Sequence, residues 1–231
     1  MAFPITHLLV ADALLTQNPR PEADAAQFML GALAPDAVHY REGFVGAGMK
    51  HIGQVKKITH LCPVSNVPWG AITDNEGWIT CVQAWMQENT GPLAEGYAAH
   101  VFTDLYNNKT LWENFRTKYP TEAAKGYNSG YYRDLQEIDL KLYLSHVQGT
   151  RIEKLLANAI QKDMPGLVSA SEIHAIRDNI LYENYVNRTP ITGYKYGFVT
   201  YDDMLNFIKE ATAAIQVLLG FDTVDKSGLQ T

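Results

Sequence analysis

Apolar residues recur at helical spacing along most of the chain, whereas the apolar–polar alternation that marks strands is scarce. Because an apolar residue every three or four positions forms one face of an α-helix, this periodicity predicts a mostly helical protein. The chain has 231 residues, and it contains no repeat, low-complexity tract or linker. We therefore expect an all-α fold in which residues 1–231 form a single domain.

Capping residues, prolines and glycines predict where the individual helices begin and end. The predicted capping residues are Asp74 or Asn75, Thr110 with Glu113, Ser169 with Glu172, and Thr200. The segment 40–73 is rich in glycine and proline and is predicted to be mostly loop. The predicted helices have the approximate bounds 6–17, 21–33, 75–88, 92–108, 110–119, 131–142, 151–162, 169–187 and 200–219.

Charge and composition exclude several classes of protein. The formal net charge is −6, so the chain lacks the basic footprint of a nucleic-acid-binding protein, and we expect no stable nucleic-acid partner. It has no long uncharged apolar run for a transmembrane helix and no basic segment for a signal peptide. Cys62 and Cys81 lack disulfide-like spacing, so we expect a cytoplasmic protein with reduced thiols. The sequence leaves the oligomeric state open.

In the stretch LAEGYAAHVFTDLYNN, residues 93–108, the part after Glu95 holds one imidazole and one carboxylate in a small, apolar and aromatic run. At a spacing of four, His100 and Asp104 project from the same face of the predicted helix. A buried carboxylate is costly unless it is paired or binds a metal. The pair is therefore either a set of metal ligands or a buried histidine that hydrogen-bonds to its aspartate.

Three further polar residues lie in apolar surroundings and extend this pair to a ligand set. His7 lies at the start of the first predicted helix, Asp36 just past the end of the second with His39 three residues on, and His60 in a predicted loop. Each alone is compatible with a structural role. Together with His100 and Asp104 they supply three histidines and two aspartates, which suits zinc or a similar metal.

The order of these residues resembles that of the zinc-dependent phospholipase C family, which is related to zinc single-strand nucleases. The resemblance covers roughly residues 5–140, and its most specific piece is GYAAHVFTDLY. Members of that family are all-helical and bind a cluster of three zinc ions. The resemblance implies that Asp36, His60, His100 and Asp104 ligate zinc, that Asp104 bridges two ions and that Asp36 is a candidate general base. It also implies that His7 shares a third ion with the N-terminal amine.

The chain also departs from the family pattern, which leaves the number of ions between one and three. Family members are secreted and expose an N-terminal amine by signal cleavage, and the equivalent position here is Ala2. No histidine follows between Asp104 and Tyr119, and Tyr132 and Gln136 stand where the family has a second pair of helical ligands. The alternative ligands are Asp134, Asp139, His174 with Asp178, and His51 in place of His60; each is equally readable as an ordinary solvent-facing residue.

This ligand set predicts a metal-dependent phosphoester hydrolase. Zinc lowers the pKa of a bound water to about 7 and so supplies hydroxide to attack a phosphodiester, with Asp36 orienting that water or accepting its proton. Lys50, Lys56 and Lys57 are interpreted either as an electropositive lip for an anionic substrate or as a solvated loop. The expected substrate is a phosphoester small molecule or a phospholipid head group.

Two alternatives are non-catalytic. The first is a helical protein of the same fold that retains a structural metal site, an interpretation favoured by the missing family ligands. The second is a metal-free interaction module, which requires His100 and Asp104 to be core partners of each other. A closed site with four ligands would indicate the first alternative, whereas an accessible cleft beside the ligands would indicate an enzyme.

Overall fold

The computed structural model describes residues 3–44, 48–63 and 66–221, and helices account for most of them. Within these ranges no β-strand forms, apart from a single bridge between Met164 and Val168. The prediction of an all-α protein is therefore confirmed. The α-helices are α1 (Pro4–Gln17), α2 (Glu22–Gly31), α3 (Met49–Thr59), α4 (Asn75–Glu88), α5 (Pro92–Asn107), α6 (Glu113–Lys118), α7 (Pro120–Ala123), α8 (Gly130–Leu142), α9 (Arg151–Asn158), α10 (Ala170–Asp178) and α11 (Tyr201–Leu218).

Shorter helical segments connect or extend these helices. The 3₁₀ helices are Ala34–Tyr40, Trp69–Ala71 and Gly126–Asn128. Asn108–Trp112, Tyr143–Val147 and Asn179–Glu183 are π-helical and continue α5, α8 and α10 without a break. Widened turns of this kind are rare and are often found at functional sites.

Three of the four predicted capping sites are confirmed. Ser169 forms a reciprocal capping box with Glu172, and Thr200 forms one with Asp203. Asp74 accepts a hydrogen bond from the backbone N–H of Gly77 at the start of α4. The capping box predicted at 110–113 is wrong, because the chain is helical from α5 through the π-helical segment into α6 and the Thr110 hydroxyl donates back to the carbonyl oxygen of Tyr106.

The prediction of loop for residues 40–73 is wrong over its central part, where α3 runs from Met49 to Thr59. Glycines at positions 48 and 53 weaken the helical signal, yet Gly53 lies within the helix and Gly48 immediately precedes it. Ile52 and Val55 pack against the core. Because tertiary contacts of this kind readily override weak local propensity, an amphipathic helix forms despite its glycine. His60 therefore follows a helix rather than lying in a loop.

The approach of α2 to α5 positions much of the candidate site. Both helices have a glycine where they meet: a Cβ at Gly31 would lie 2.2 Å from the carbonyl oxygen of Leu93, and one at Gly96 would lie 2.0 Å from that of Phe28. Only residues without a side chain permit this backbone contact. It holds the segment after α2, which carries Asp36, against the face of α5 that carries His100.

Helix α5 lies at the centre of the molecule and packs against α1, α2, α4 and α11. Almost all of its residues from Gly96 to Asn107 are buried, and the buried apolar side chains of the described residues form one continuous core. The expectation of a single domain over residues 1–231 stays a prediction. Among the described helices, none combines the length and the apolar character needed to cross a membrane.

Two buried aspartates of α8 accept hydrogen bonds from distant segments of the chain. Asp134 accepts hydrogen bonds from the backbone N–H groups of Gly197, Phe198 and Val199 at 2.7–3.3 Å, and from the hydroxyl of Tyr194. Asp139 accepts hydrogen bonds from the N–H of Ile5 at 3.2 Å and from the hydroxyl of Tyr185. Both carboxylates therefore hold other segments in place and form none of these hydrogen bonds with the predicted metal ligands.

Asp139 makes the stability of the fold depend on pH. Burial raises the pKa of Asp139 to about 7, against the lowering effect of its hydrogen bonds with Tyr185 and the start of α1. The folded protein thus holds this proton more tightly than the unfolded chain does, so the contribution to stability is full below about pH 4 and declines up to about pH 7. In Asp139→Asn we expect this decline, on the order of 3 kcal/mol, to be absent.

Urea unfolding of both proteins between about pH 4 and pH 8 measures the difference. The matched control is Asp202→Asn, which makes the same chemical change at an exposed position in the first turn of α11. This control should retain the wild-type pH dependence. A wild-type curve and an Asp139→Asn curve that stay parallel over this range would contradict the prediction.

Candidate metal centre

The five residues predicted to ligate a metal converge in the interior. His7 comes from the first turns of α1, Asp36 from the 3₁₀ helix after α2, His60 from the residue that follows α3, and His100 and Asp104 from α5. All five are buried, with the histidines at most 1% exposed. Segments far apart in the sequence are thus brought together by the packing of four helical elements.

The imidazole Nε2 atoms face the two carboxylates at similar distances. His7 Nε2 lies 3.5 Å from Asp104 Oδ1, and His60 Nε2 lies 3.5 Å from Asp104 Oδ2. His60 Nε2 is also 3.5 Å from Asp36 Oδ1, and His100 Nε2 is 4.0 Å from Asp36 Oδ2. These separations are too long for good hydrogen bonds. Each carboxylate therefore lies between two imidazoles without bonding closely to either.

The proton positions on two of the imidazoles follow from their backbone partners. His100 Nδ1 lies 2.7 Å from the carbonyl oxygen of Ala32, and His60 Nδ1 lies 2.9 Å from that of Lys56. Because a carbonyl oxygen only accepts, Nδ1 must carry the proton in both rings. In the neutral imidazole Nε2 then presents its lone pair. Within the described part of the chain, Nε2 of neither ring has a hydrogen-bond partner.

The third imidazole has fewer hydrogen-bond partners than the other two. Neither nitrogen of His7 has a hydrogen-bond partner among the described residues, although the side chain is fully buried. Its ring stacks on that of His100, with centroids 3.6 Å apart and planes inclined by 7°. Buried polar groups are nearly always satisfied, so unsatisfied nitrogens clustered around two carboxylates require an explanation.

A divalent cation would satisfy these groups. Lone pairs of nitrogen and oxygen repel each other unless a proton or a metal lies between them, and atoms that ligate tetrahedral zinc at about 2.1 Å lie about 3.4 Å from one another. Two overlapping groups have a suitable arrangement, one of His7, His100 and Asp104 and the other of Asp36, His60 and His100. In each group the ligand atoms lie within 4.8 Å of one another. The donor set therefore fits a zinc-like ion.

The protonation states also suit a metal, which requires neutral imidazoles and ionised carboxylates. Burial, reinforced by the neighbouring His7, holds the pKa of His100 well below its ordinary value. Burial alone would raise the pKa of Asp36, but Lys56 and the surrounding histidines hold it well below the usual range. The same opposition, with the neighbouring His7 as the main counterweight, lowers the pKa of Asp104.

Lys56 belongs to this cluster, and the interpretation of it as part of a surface lip or a solvated loop is wrong. Its side chain is buried, and its Nζ lies 3.2 Å from Asp36 Oδ1 and 5.8 Å from the centre of the Trp69 ring. Lys57 is buried as well, and its ammonium donates to the carbonyl oxygen of Val67. Only Lys50, the first of the three, is exposed.

His39 is a second neighbour of the carboxylate of Asp36. Its Nε2 lies 3.8 Å from Asp36 Oδ1, and about a third of its side chain, 35%, is exposed. Burial, together with Lys56, lowers the pKa of His39 to about 4. Its spacing of three from Asp36 is the sequence signal for this contact, since such residues share a face of a 3₁₀ helix.

A cavity of about 220 Å³ reaches the cluster at Asp36 and His39. Most of its wall is aromatic or aliphatic, and the only amides are those of Asn179 and Asn184. The remaining lining residues are Phe3, Pro4, Tyr40, Tyr127, Tyr132, Ile176, Ile180 and Tyr185. A separate void of about 10 Å³, large enough for a single water, lies beside Asp104 and is lined by Trp69, Trp78 and Trp112.

The alternative ligands lie elsewhere. His174 and Asp178 form a pair at the surface, with Nε2 and Oδ2 3.1 Å apart; His174 is exposed and Asp178 is partly exposed. His51 is exposed near the start of α3. Asp134 and Asp139 are occupied by the structural hydrogen bonds described above. Ala2, the equivalent of the family's N-terminal ligand, lies outside the described residues.

Comparison with protein-family models, curated proteins and solved structures finds no match. The resemblance to zinc-dependent phospholipase C thus rests on the residues of this chain.

Proposed function

We propose that this protein is a metal-dependent phosphoester hydrolase with zinc as its ion, bound within the cluster of His7, Asp36, His60, His100 and Asp104. The observation that carries the proposal is the set of buried imidazole nitrogens without hydrogen-bond partners, arranged around two carboxylates at 3.5–4.0 Å. A cluster that served only to fill the core would leave these groups unsatisfied at considerable cost.

Access to the cluster supports catalysis over a purely structural site. The cavity ends on Asp36, which keeps its negative charge because Lys56 and the histidines lower its pKa. A bound divalent ion supplies Lewis acidity and neutralises charge that develops on phosphoryl oxygens. In this proposal Asp36 accepts a hydrogen bond from a water in the cavity, orients it and takes its proton as the general base.

The cavity favours a small substrate. Its volume of about 220 Å³ lies below the range of about 300–1,000 Å³ that is typical of drug-sized ligands. A phosphoester small molecule or the head group of a phospholipid is compatible with this space. The aromatic and aliphatic walls would contact the organic part of the ester, and the phosphoryl group would lie at the Asp36 end.

The strongest rival is a non-catalytic protein in which the cluster is a structural site. The observation in its favour is the ion pair between Lys56 and Asp36, since that ammonium already satisfies part of the charge that a metal would neutralise. In this alternative the cavity would have no role in chemistry. The two functions differ in turnover, whereas both permit a bound ion.

Metal content per chain tests the proposal first. Protein purified without chelators should contain zinc, and His100→Ala should lose most of it, because His100 belongs to both groups of candidate ligands. The matched control is His174→Ala, which removes a histidine of identical spacing to an aspartate at the surface. Mass spectrometry of the metals in all three proteins decides between the outcomes. Wild-type protein without metal, or unchanged metal in His100→Ala, would contradict the proposal.

Hydrolysis of a chromogenic phosphodiester then separates the enzyme from its rival. The zinc-loaded wild type and His174→Ala should release product, and both should stop when a chelator removes the ion. His100→Ala should be inactive from the start. A protein that retains its zinc and hydrolyses neither phosphodiesters nor phosphomonoesters would favour the structural alternative.

A further inference from the structure

We propose that Lys56 is a built-in cation that takes the place of a second metal and limits this cluster to one divalent ion. The inference rests on the proposed function and deepens it by fixing how many ions the site accepts. It follows from three features of the described residues: the contacts of Lys56, the sharing of one imidazole between the two ligand groups, and the charge of the cluster.

The ammonium of Lys56 lies against one of the two carboxylate oxygens that a second ion could use. Asp36 Oδ1 has Lys56 Nζ at 3.2 Å, His60 Nε2 at 3.5 Å and His39 Nε2 at 3.8 Å. Lys56 is therefore the nearest of three nitrogens around a single carboxylate oxygen. In the ligand group that contains Asp36, the single carboxylate is therefore already paired with the positive charge of Lys56.

The backbone holds Lys56 in this position. It lies in the last turn of α3, where the partial negative charge of the helix end favours a cation. Its own carbonyl oxygen accepts the hydrogen bond from His60 Nδ1 at 2.9 Å, so the same residue orients a candidate ligand and neutralises a carboxylate. The face of Trp69 lies 5.8 Å from the ammonium. The end of α3, the hydrogen bond from His60 and the ring of Trp69 thus all surround Lys56.

The two ligand groups compete for one imidazole. Both contain His100, and its Nδ1 is engaged with the carbonyl oxygen of Ala32 at 2.7 Å, which leaves Nε2 as its single ligand atom. An ion held by His7, His100 and Asp104 uses this atom. The second group then retains Asp36 and His60, with His39 Nε2 as a further nitrogen 3.8 Å from Asp36 Oδ1, and the cation that lies against this oxygen is Lys56.

Charge leads to the same conclusion. With neutral imidazoles the two carboxylates carry two negative charges, and Lys56 cancels one of them. One divalent ion then leaves a single excess positive charge, whereas a second would leave three in a buried environment. Uncompensated buried charge is very unfavourable. Lys56 is therefore a positioning residue that replaces the second cation, and the ion lies in the group of His7, His100 and Asp104.

Stoichiometry tests this inference without reference to activity. Zinc is added back to chelator-treated protein, and native mass spectrometry counts the ions on each chain. The wild type should bind one ion. Lys56→Gln and Lys56→Met, which remove the charge and keep most of the volume, should each bind two, whereas Lys56→Arg should bind one. Circular dichroism of each variant establishes that it is folded.

Lys57→Gln is the matched control, because it removes a neighbouring buried ammonium that donates to the carbonyl oxygen of Val67 rather than facing Asp36. It should bind one ion. Two ions on the wild type would overturn the inference even if the Lys56 variants fail to fold, and so would a single ion on folded Lys56→Gln and Lys56→Met. No ion on the wild type would instead overturn the proposed function, and the inference with it.

Discussion

Gly96→Ala is expected to destabilise the protein by about 3 kcal/mol, the upper part of the usual range for overpacking. The added Cβ would lie 2.0 Å from the carbonyl oxygen of Phe28, and the obstacle is backbone rather than a flexible side chain. Relief therefore requires α2 and α5 to move apart. Because α2 leads into Asp36 and α5 carries His100, we expect the variant to bind metal more weakly as well.

Gly53→Ala provides the control, since Gly53 lies in α3 and a Cβ there would meet nothing within 4 Å. This variant should be unchanged or more stable by up to about 1 kcal/mol, because alanine favours the helix over glycine. Free energies of unfolding from urea titration compare both variants with the wild type. Equal stability of Gly96→Ala and wild type would show that the two helices do not require the close contact.

The periodicity of the sequence was sufficient to predict the fold class and most of the helices. Helices α1 and α5 are apolar over most of their length and begin with a proline, α4 and α11 have clear capping residues, and local signals agree with tertiary packing there. Helix α3 could not be predicted in this way. Its glycine and the flanking loops weaken the local signal, and only contacts such as those of Ile52 and Val55 with distant residues stabilise it.

The candidate site was predictable to a similar extent. Residue type and apolar context identified all five residues that converge, because a histidine or aspartate among apolar neighbours has few alternatives to a buried polar role. Their ligand roles stay predictions. Lys56 was assigned to the surface because neighbouring lysines usually face solvent, and the sequence does not show which face of an unpredicted helix points inward.

The cavity could not be predicted from local sequence at all. Its walls come from segments as distant as Tyr40, Tyr127 and Tyr185, and their proximity depends on the packing of the whole molecule. The π-helical segment Asn179–Glu183 contributes to the same wall through Asn179 and Ile180. The sequence alone does not distinguish an aromatic residue of the core from one that lines a cavity, because aromatic residues are common in both.

Asp36→Asn is expected to reduce turnover of a phosphodiester between about 100-fold and 10,000-fold, the usual contribution of a general base. The asparagine keeps the size of the side chain but neither holds a negative charge nor accepts a proton from water. The group of His7, His100 and Asp104 does not contain Asp36, so the zinc content should remain that of the wild type. Steady-state kinetics with bis(4-nitrophenyl) phosphate, paired with metal analysis of the same samples, measures both quantities.

Asp178→Asn is the matched control, because Asp178 has the same spacing to a histidine as Asp104 but lies in a pair at the surface with His174. Its turnover and zinc content should equal those of the wild type. Full turnover in Asp36→Asn would remove Asp36 from the chemistry and leave the ion as the sole activator of water. Loss of zinc together with turnover would instead make Asp36 an indispensable ligand, and the ion would then lie in the group with His60, beside the ammonium of Lys56. The paired measurement therefore distinguishes a base from a ligand at the one carboxylate that contacts both the cavity and the lysine.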